Sequence, residues 1–246
     1  ATILSSVHLA LDNRVFYREA KTLAAAGYDV TLIAVHDQDE VKDGIHIRAL
    51  PRVSRSRRPL LWRTVARMAL DTHADVFHIH DPELLLITPY LRWKSGRPTI
   101  YDIHEANADF IAVKDYLPGA IRRPLAGVFR RLEPQLARHE SGLIFADDAI
   151  AADFKGINVP QATLFNYPSS DLIERGGRNE VNEDDRPPVI LYLGGLERNR
   201  GAELMVSALA QVIQTMPEAR LLIVGHFMPP ELEDELRRDA AAHGIA

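Results

Sequence analysis

Polar and ionisable side chains follow several short apolar runs, at the points where those runs end. In the first part of the chain they form four groups: Ser5, Ser6 and His8; His80, Asp81 and Glu83; Asp102, His104 and Glu105; Asp147 and Asp148. Ligands of open parallel sheets bind beyond the carboxyl ends of the strands, so these side chains are the expected substrate contacts. An imidazole can accept a proton or orient a hydroxyl near neutral pH, which makes His104 the candidate for the reacting centre.

A second set, rich in glycine and arginine, follows two apolar runs near the end of the sequence. Its candidate residues are Gly194, Gly195, Arg198, Arg200, Gly201 and Gly225. A glycine turn lets backbone N–H groups approach phosphates, and the N-terminus of the next helix adds favourable partial charge. Arg200 could neutralise the charge that develops on a departing diphosphate. The alternative is a purely structural turn with a solvated arginine.

The elements that must position these residues alternate between strand and helix. Predicted strands are 3–4, 30–35, 45–50, 76–79, 99–103, 143–146 and 162–165. The first helix is capped by Asp12 and ends at Gly27, and others cover 60–72, 84–94, 118–140 and 147–155. Repeated strand–helix–strand units require crossovers, which predicts a doubly wound α/β domain with a parallel sheet.

The composition changes after residue 168. Residues 169–188 contain Gly176-Gly177, several acids and Pro187-Pro188, which is typical of a linker. The strand–helix pattern then restarts at Val189. The sequence therefore predicts a Rossmann-like domain over 1–168, a linker over 169–188, and a second Rossmann-like domain over 189–246. With only two strands this last domain is a marginal core, and we expect it to be incomplete.

Composition excludes several classes of function. The 246 residues carry a net charge of −5, which gives no electrostatic argument for a nucleic-acid partner. Cysteine is absent, so disulfides, thiolate catalysis and cysteine–metal sites are excluded, and a cytoplasmic location is the expectation. No metal site is predicted, because the histidines do not show paired ligand spacing on one element. No apolar run or N-terminal pattern indicates a membrane span or a signal peptide.

Several segments, in order, resemble the glycosyltransferase family 4 (group 1) enzymes of the two-domain GT-B fold. They are Ser5-Ser6-Val7-His8, Asp12-Asn13-Arg14-Val15-Phe16, Glu19-Ala20, Ala26 to Leu32, Asp75 to Pro82, Tyr101-Asp102-Ile103-His104-Glu105, and Tyr192 to Leu196 with Arg200-Gly201. The resemblance covers nearly the whole chain. It implies a retaining transfer of a hexosyl-type unit from a nucleotide-diphosphate sugar to a hydroxyl, with no further cofactor and no essential metal.

The resemblance also implies roles for the candidate residues. His104 lies near the transferred sugar, and Gly194, Gly195, Arg198, Arg200, Gly201 and Gly225 contact the donor. The acceptor is a glycan, a lipid-linked glycan or a small molecule, and the candidates for acceptor contacts are His8, Asp12, His80, Asp81 and Glu105. Capping or support of neighbouring residues is the alternative for His80 and Asp81, and a structural, backbone-bonded histidine is the alternative for His104.

Two departures from the family pattern affect these expectations. Gly195 stands where the family often has a basic residue, which shifts the expected phosphate contacts to Arg200 and Arg198. The family's paired glutamates, which contact the donor, would lie beyond Ala246. As given, the chain is expected to bind donor poorly and to be inactive.

One segment is locally basic. From Arg48 to Arg67 there are seven arginines and no acid. We expect Trp62 to be exposed, in which case residues 48–68 could lie on the inner face of an anionic membrane. The equal alternative is a solvated surface with one apolar stripe in the core. Two rival functions stay open: a sugar-nucleotide epimerase, and a non-catalytic module that binds a nucleotide sugar or glycan.

Overall fold

The computed structural model describes residues 1–114, 117–168, 173–174 and 187–245. The chain divides into two compact units, Ala1–Ile173 and Glu174–Ala246. The division falls inside the predicted linker, whose residues 169–172 and 175–186 lie outside the described part of the chain.

The first unit is built on an eight-stranded sheet. Its strands are β1 (Thr2–Leu9), β2 (Thr31–Val35), β3 (Glu40–Lys42), β4 (Ile45–Leu50), β5 (Phe77–Ile79), β6 (Thr99–Ile103), β7 (Gly142–Phe145) and β8 (Gln161–Thr163). The spatial order is β3-β4-β2-β1-β5-β6-β7-β8. All neighbours are parallel except β3 and β4, so the predicted parallel sheet is confirmed and carries one short antiparallel strand at its edge. Strand β3, with only three residues, was not predicted.

Both faces of the sheet are covered, as the alternating pattern predicted. The helices of this unit are α1 (Lys21–Ala25), α2 (Trp62–Asp71), α3 (Thr88–Ser95), α4 (Asn107–Val113), α5 (Gly119–Ala137) and α6 (Asp148–Ala152). One apolar cluster joins β5, β6 and β7 to α2 and α6 and contains Leu4, Phe77 and Tyr101. A second cluster packs Phe16 and Ile3 on the other face. On β4, a predicted strand, Ile45 and Ile47 are buried and alternate with less buried residues.

The first helical segment departs from the predicted α-helix. Asp12 caps it by accepting hydrogen bonds from the backbone N–H groups of Arg14 and Val15, but residues Asn13–Ala20 form a π-helix before α1 begins. In a π-helix the hydrogen bonds join residues five positions apart. Two side chains with that separation therefore lie closer to the same face of the helix than they do in an α-helix. Arg14 and Glu19 are separated by five positions, and their side chains meet in an ion pair.

Trp62 is not an exposed anchor, which corrects the expectation from the sequence. It begins α2, is half-buried and packs against the apolar cluster beneath the sheet. Leu60, two residues before Trp62, is an exposed apolar side chain of this segment, at 76 % of its full exposure. Among the described residues, no helix combines the length and the apolar character that a membrane crossing needs.

The second unit carries the predicted strand–helix–strand arrangement. Strands β9 (Val189–Leu193) and β11 (Arg220–Val224) pair in parallel, and so do the short strands β10 (Leu196–Glu197) and β12 (Phe227–Met228). Helix α7 (Ala202–Val212) connects them, and α8 (Leu232–Ala242) follows. The buried face of α7 carries Ala202, Val206 and Leu209, whereas Leu204 is exposed.

Candidate functional site

Three histidines meet at the carboxyl edge of the first sheet. His8 lies at the end of β1, His80 follows β5, and His104 follows β6. The ring centroids of His104 and His80 are 5.5 Å apart in a stacked arrangement, and those of His104 and His8 are 4.9 Å apart, edge to face. The sequence placed these residues on different strands, and the order β1-β5-β6 brings their ends together.

Asp81 supports the end of strand β1, which carries His8. Its Oδ2 accepts hydrogen bonds from the Ser5 hydroxyl (3.0 Å) and from the backbone N–H groups of Ser6 (2.6 Å) and Val7 (3.1 Å). The side chain is buried, so these bonds hold the end of β1 at a fixed distance from β5. The structure therefore shows the supporting role that the sequence left as an alternative for Asp81.

Asp12 and Glu105 border the same edge. Besides capping the π-helix, Asp12 places Oδ2 at 3.8 Å from Nδ1 of His8. Glu105 is exposed and, with His104, lines a cavity of about 390 Å³ within the first unit. Asp109, Phe110, Arg130 and Asp147 line the same cavity. Its volume falls in the range of small-molecule sites.

A larger cavity of about 780 Å³ lies elsewhere on the first unit. It is lined by Gly96, Pro98 and Ser141, which precede β6 and β7 and therefore mark the amino ends of these strands. Ligands of parallel sheets bind at the opposite edge. The smaller cavity, which contains His104, is the candidate site for that reason.

Beneath the three histidines lies a buried ionic cluster that sequence reasoning missed. The guanidinium of Arg14 donates to both carboxylate oxygens of Asp102 at 2.8 and 3.0 Å. Its Nε lies 2.9 Å from Oε1 of Glu19, and Glu19 Oε2 lies 3.2 Å from Nε2 of His80. His78 completes the cluster, with its ring 4.6 Å from that of His80. The signal in the sequence was the i, i+2 spacing of His78 and His80, which places both on one face of a strand.

Burial sets the protonation of this cluster. It raises the pKa of Glu19 to about 8, helped by the negative charge of Asp102. It lowers the pKa of His80 to about 3 and that of His104 to about 4, with neighbouring imidazoles acting in the same direction. Burial alone would raise the pKa of Asp102, but its contacts with His78 and His80 hold it below the ordinary value. His104 is therefore a neutral imidazole at pH 7.

Arg14 also joins the two ends of the first unit. Its Nη1 donates to the backbone carbonyl of Leu164 at 3.0 Å and to the side-chain oxygen of Asn166 at 2.9 Å. Arg18 donates to the same Asn166 oxygen at 2.8 Å. The segment that follows β8 is thus held against the start of the π-helix.

In the second unit, the glycine turn after β9 packs against the turn after β11. The backbone N–H of Gly194 donates to the carbonyl of Val224 at 2.9 Å. A Cβ atom on Gly225 would lie 1.9 Å from the Gly194 carbonyl oxygen, so only glycine fits there. Gly201 adopts a left-handed conformation (φ 76°) immediately before α7. The local backbone geometry therefore accounts for the glycines at these positions without any bound ligand.

The two candidate arginines of this unit differ in their surroundings. Arg198 forms an ion pair with Glu235 of α8, with its Nη1 2.6 Å from Oε2, so its charge is already engaged within the unit. Arg200 is exposed and precedes Gly201 and the N-terminus of α7. Of the two, Arg200 is the better placed to receive an anion.

Comparison with known proteins agrees with this architecture. The family profile of the glycosyl transferase 4-like domain matches residues 13–165. The phosphatidyl-myo-inositol mannosyltransferase of Mycolicibacterium smegmatis is 25 % identical over 232 residues, which are 90 % of this chain and 55 % of that protein. The chain thus spans little more than half the length of this curated relative.

Solved structures show the same fold at low identity. Sucrose-phosphate synthase from Thermosynechococcus elongatus superposes with a TM-score of 0.66 and 14 % identity, covering 100 % of this chain and 69 % of that one. The structure of Anabaena HepE in complex with UDP-glucose superposes with a TM-score of 0.58 and 14 % identity, covering 99 % of this chain and 65 % of that one. The fold is therefore the Rossmann-like GT-B type, and because the family profile covers most of the chain, this protein belongs to the glycosyl transferase 4-like family.

Proposed function

We propose that this protein takes part in the retaining transfer of a hexosyl-type unit from a nucleotide-diphosphate sugar to a hydroxyl acceptor. The observation that carries the proposal is the position of His104. It is a neutral imidazole at the carboxyl edge of a parallel sheet, in contact with His8 and His80 and facing a cavity of about 390 Å³. A neutral imidazole can hydrogen-bond a sugar hydroxyl without introducing a charge that opposes a cationic transition state.

The acceptor belongs to the first unit in this proposal. The cavity beside His104 offers the carboxylates of Glu105, Asp109 and Asp147 to sugar hydroxyls, and the ring of Phe110 to an apolar sugar face. His8 and Asp12 border this edge as well. These residues suit a glycan or a lipid-linked glycan.

The donor belongs to the second unit. Arg200 and the N-terminus of α7 are the groups proposed to receive the diphosphate, with no cofactor beyond the nucleotide sugar itself. The solved structure of HepE with UDP-glucose supports a donor of this class. Gly194, Gly195 and Gly225 shape the turn from which backbone N–H groups would approach the phosphates.

Retention is proposed to follow from attack on the same face. The acceptor oxygen bonds to the anomeric carbon as the bond from that carbon to the diphosphate oxygen breaks, and the acceptor proton passes to the departing diphosphate. A double displacement needs a free carboxylate nucleophile. Asp102 and Asp81, the buried carboxylates near His104, are engaged by Arg14 and by the end of β1 respectively, so neither is such a nucleophile. In this proposal the carboxylates that line the cavity, Glu105, Asp109 and Asp147, bind acceptor hydroxyls instead.

A membrane contact through residues 48–68 is also proposed, with the protein at the cytoplasmic face of an anionic bilayer. The exposed arginines of the segment and the exposed Leu60 support it. The half-buried Trp62 does not, because its ring belongs to the core. A second candidate surface is α5, where an exposed apolar stripe of Ile121, Leu125, Val128 and Leu132 runs beside several arginines.

The transfer proposal is tested with a panel of nucleotide sugars on the protein at the length at which its organism makes it. One member of the panel should raise the melting temperature, and release of nucleoside diphosphate should require an acceptor. His104→Ala and Arg200→Ala should each lower transfer at least a hundredfold, whereas His46→Ala, an exposed histidine on β4, should not. Turnover of the sugar without an acceptor would indicate an epimerase, and saturable binding without turnover would indicate a binding module.

A further inference from the structure

Four potential metal ligands from three different elements converge in the first unit. His78 lies on β5 and His80 immediately after it, Glu19 comes from the π-helix, and Asp102 lies on β6. One ligand atom from each lies within 4.8 Å of all the others. The strand supplies two imidazoles on one face, because side chains two residues apart point the same way.

The spacing of these atoms fits ligands that share one ion better than it fits hydrogen bonds. His80 Nε2 lies 3.2 Å from Glu19 Oε2, His78 Nε2 lies 3.4 Å from Asp102 Oδ2, and the same His78 nitrogen lies 3.8 Å from Glu19 Oε2. Zinc binds nitrogen and oxygen at about 2.0–2.2 Å, so tetrahedral ligand atoms stand about 3.3–3.5 Å apart. Two of the three distances exceed the range of ordinary N–H···O bonds.

The polar atoms that face this space are unsatisfied. Both ring nitrogens of His80, Nε2 of His78 and Oε2 of Glu19 are buried without a hydrogen-bond partner among the described residues, whereas Oε1 of Glu19 is paired with Nε of Arg14. The side chain of His80 has no solvent exposure at all. Buried polar groups are nearly always paired, and a set of orphaned nitrogens and oxygens in one place indicates a missing partner for all of them.

Arg14 orients the carboxylates from outside the set. Its Nε pairs with Oε1 of Glu19, which leaves Oε2 turned toward His80. Its Nη2 binds Asp102. Metal-binding carboxylates are commonly held by such outer partners.

We infer that Glu19, His78, His80 and Asp102 form a buried site for one divalent transition-metal ion, best suited to Zn²⁺. Two imidazoles and two carboxylates select zinc-like ions over Mg²⁺ or Ca²⁺, which prefer all-oxygen sites. The ion fixes the ring of His80, and the stacked ring of His104 is held in turn. The inference does not depend on the proposed transfer.

The test uses the full protein, dialysed against a chelator and titrated with Zn²⁺ alone. Calorimetry and elemental analysis should give about one ion per chain. Replacement by Co²⁺ should give the intense visible absorption of a tetrahedral cobalt site. Glu19→Gln and His78→Gln should each weaken Zn²⁺ binding at least tenfold. His36→Gln is the matched control, because it removes a histidine paired with Glu40 at 3.0 Å near the surface, and it should change nothing.

A parent protein that binds no Zn²⁺ at micromolar concentration and gives no cobalt absorption overturns the inference. In that case protons alone balance the cluster. Equal loss of binding in His36→Gln and His78→Gln also overturns it, because the ion then binds at the surface. The cobalt spectrum of the unaltered protein decides the question even where a variant fails to fold.

Discussion

Nη2 of Arg14 donates hydrogen bonds to both carboxylate oxygens of Asp102, at 2.8 and 3.0 Å, although the two residues are 88 positions apart in the sequence. The pair is buried, and the same guanidinium also reaches Glu19, Leu164 and Asn166. A single side chain therefore neutralises the acidic residues below His104 and fastens the end of the first unit.

Arg14→Met should destabilise the first unit by about 3–5 kcal/mol, because it leaves Asp102 buried with its charge uncompensated. The matched control is Arg97→Met, which removes an exposed partner of Asp75 at 3.1 Å and should cost less than about 1 kcal/mol. Urea unfolding followed by circular dichroism measures both. Similar losses for the two variants would contradict the structural importance of the buried pair.

Gly225→Ala should destabilise the second unit by about 2–3 kcal/mol, because the new methyl group collides with the Gly194 carbonyl and the backbone must move. Gly195→Ala, in the partner turn, is the control. Its methyl group would meet only the exposed ring of His226 at 3.2 Å, which can turn aside. Hydrogen exchange of the β9 and β11 amides reports on this unit alone. Equal protection in both variants would show that the two turns do not pack as described.

Glu133→Gln should change the pH dependence of stability. Burial raises the pKa of Glu133 above its ordinary value of 4.5, although the Tyr101 hydroxyl and the Asn107 amide donate hydrogen bonds to it. The folded state therefore holds its proton more tightly than the unfolded state, and stability falls as pH rises from 4.5 through the folded pKa.

The glutamine variant cannot ionise, so its stability relative to the parent should rise across that window. Free energies of unfolding at half-unit steps from pH 4 to pH 8 measure the difference. Two curves that stay parallel over the whole range would exclude Glu133 as a source of this dependence.

Replacing Arg52, Arg57 and Arg63 with glutamine should weaken binding to anionic vesicles if residues 48–68 contact the membrane. Each basic residue near such a surface contributes about 1 kcal/mol, so the partition coefficient should fall about a hundredfold at low salt. The control removes three arginines from the second unit, Arg220, Arg237 and Arg238. A loss confined to Val128→Ser and Leu132→Ser would move the contact to α5, and no binding by the parent would remove the proposal.

The sequence predicted most of the first sheet because its strands are apolar runs separated by helical periods. Ile45 and Ile47 show why this works, since alternation within a strand directly reports one buried face. Strand β3 was not predicted, because a segment of three residues, two of them charged, shows no periodic pattern of apolar residues. The π-helix was not predicted, because helices are recognised in a sequence by a period of 3.6 residues. The separation of five residues between Arg14 and Glu19 does not match that period.

The candidate site was predicted in part for a similar reason. His8, His80 and His104 each follow a strand, so strand ends identified them, and the structure brings them together. The buried cluster needed the strand order as well, because nothing in the sequence shows that Glu19 and Asp102 become neighbours. The prediction that Trp62 is exposed was wrong. A tryptophan beside arginines is typical of an interfacial anchor, whereas this side chain packs against residues of the core.

The bonds from Arg14 to Leu164 and Asn166 have a consequence for biosynthesis. A ribosome delivers the arginine early and its last partners about 150 residues later. Until the final strand of this unit emerges, the nascent chain holds a guanidinium with two of its partners missing. These two hydrogen bonds can therefore form only after the residues that follow β8 have been synthesised.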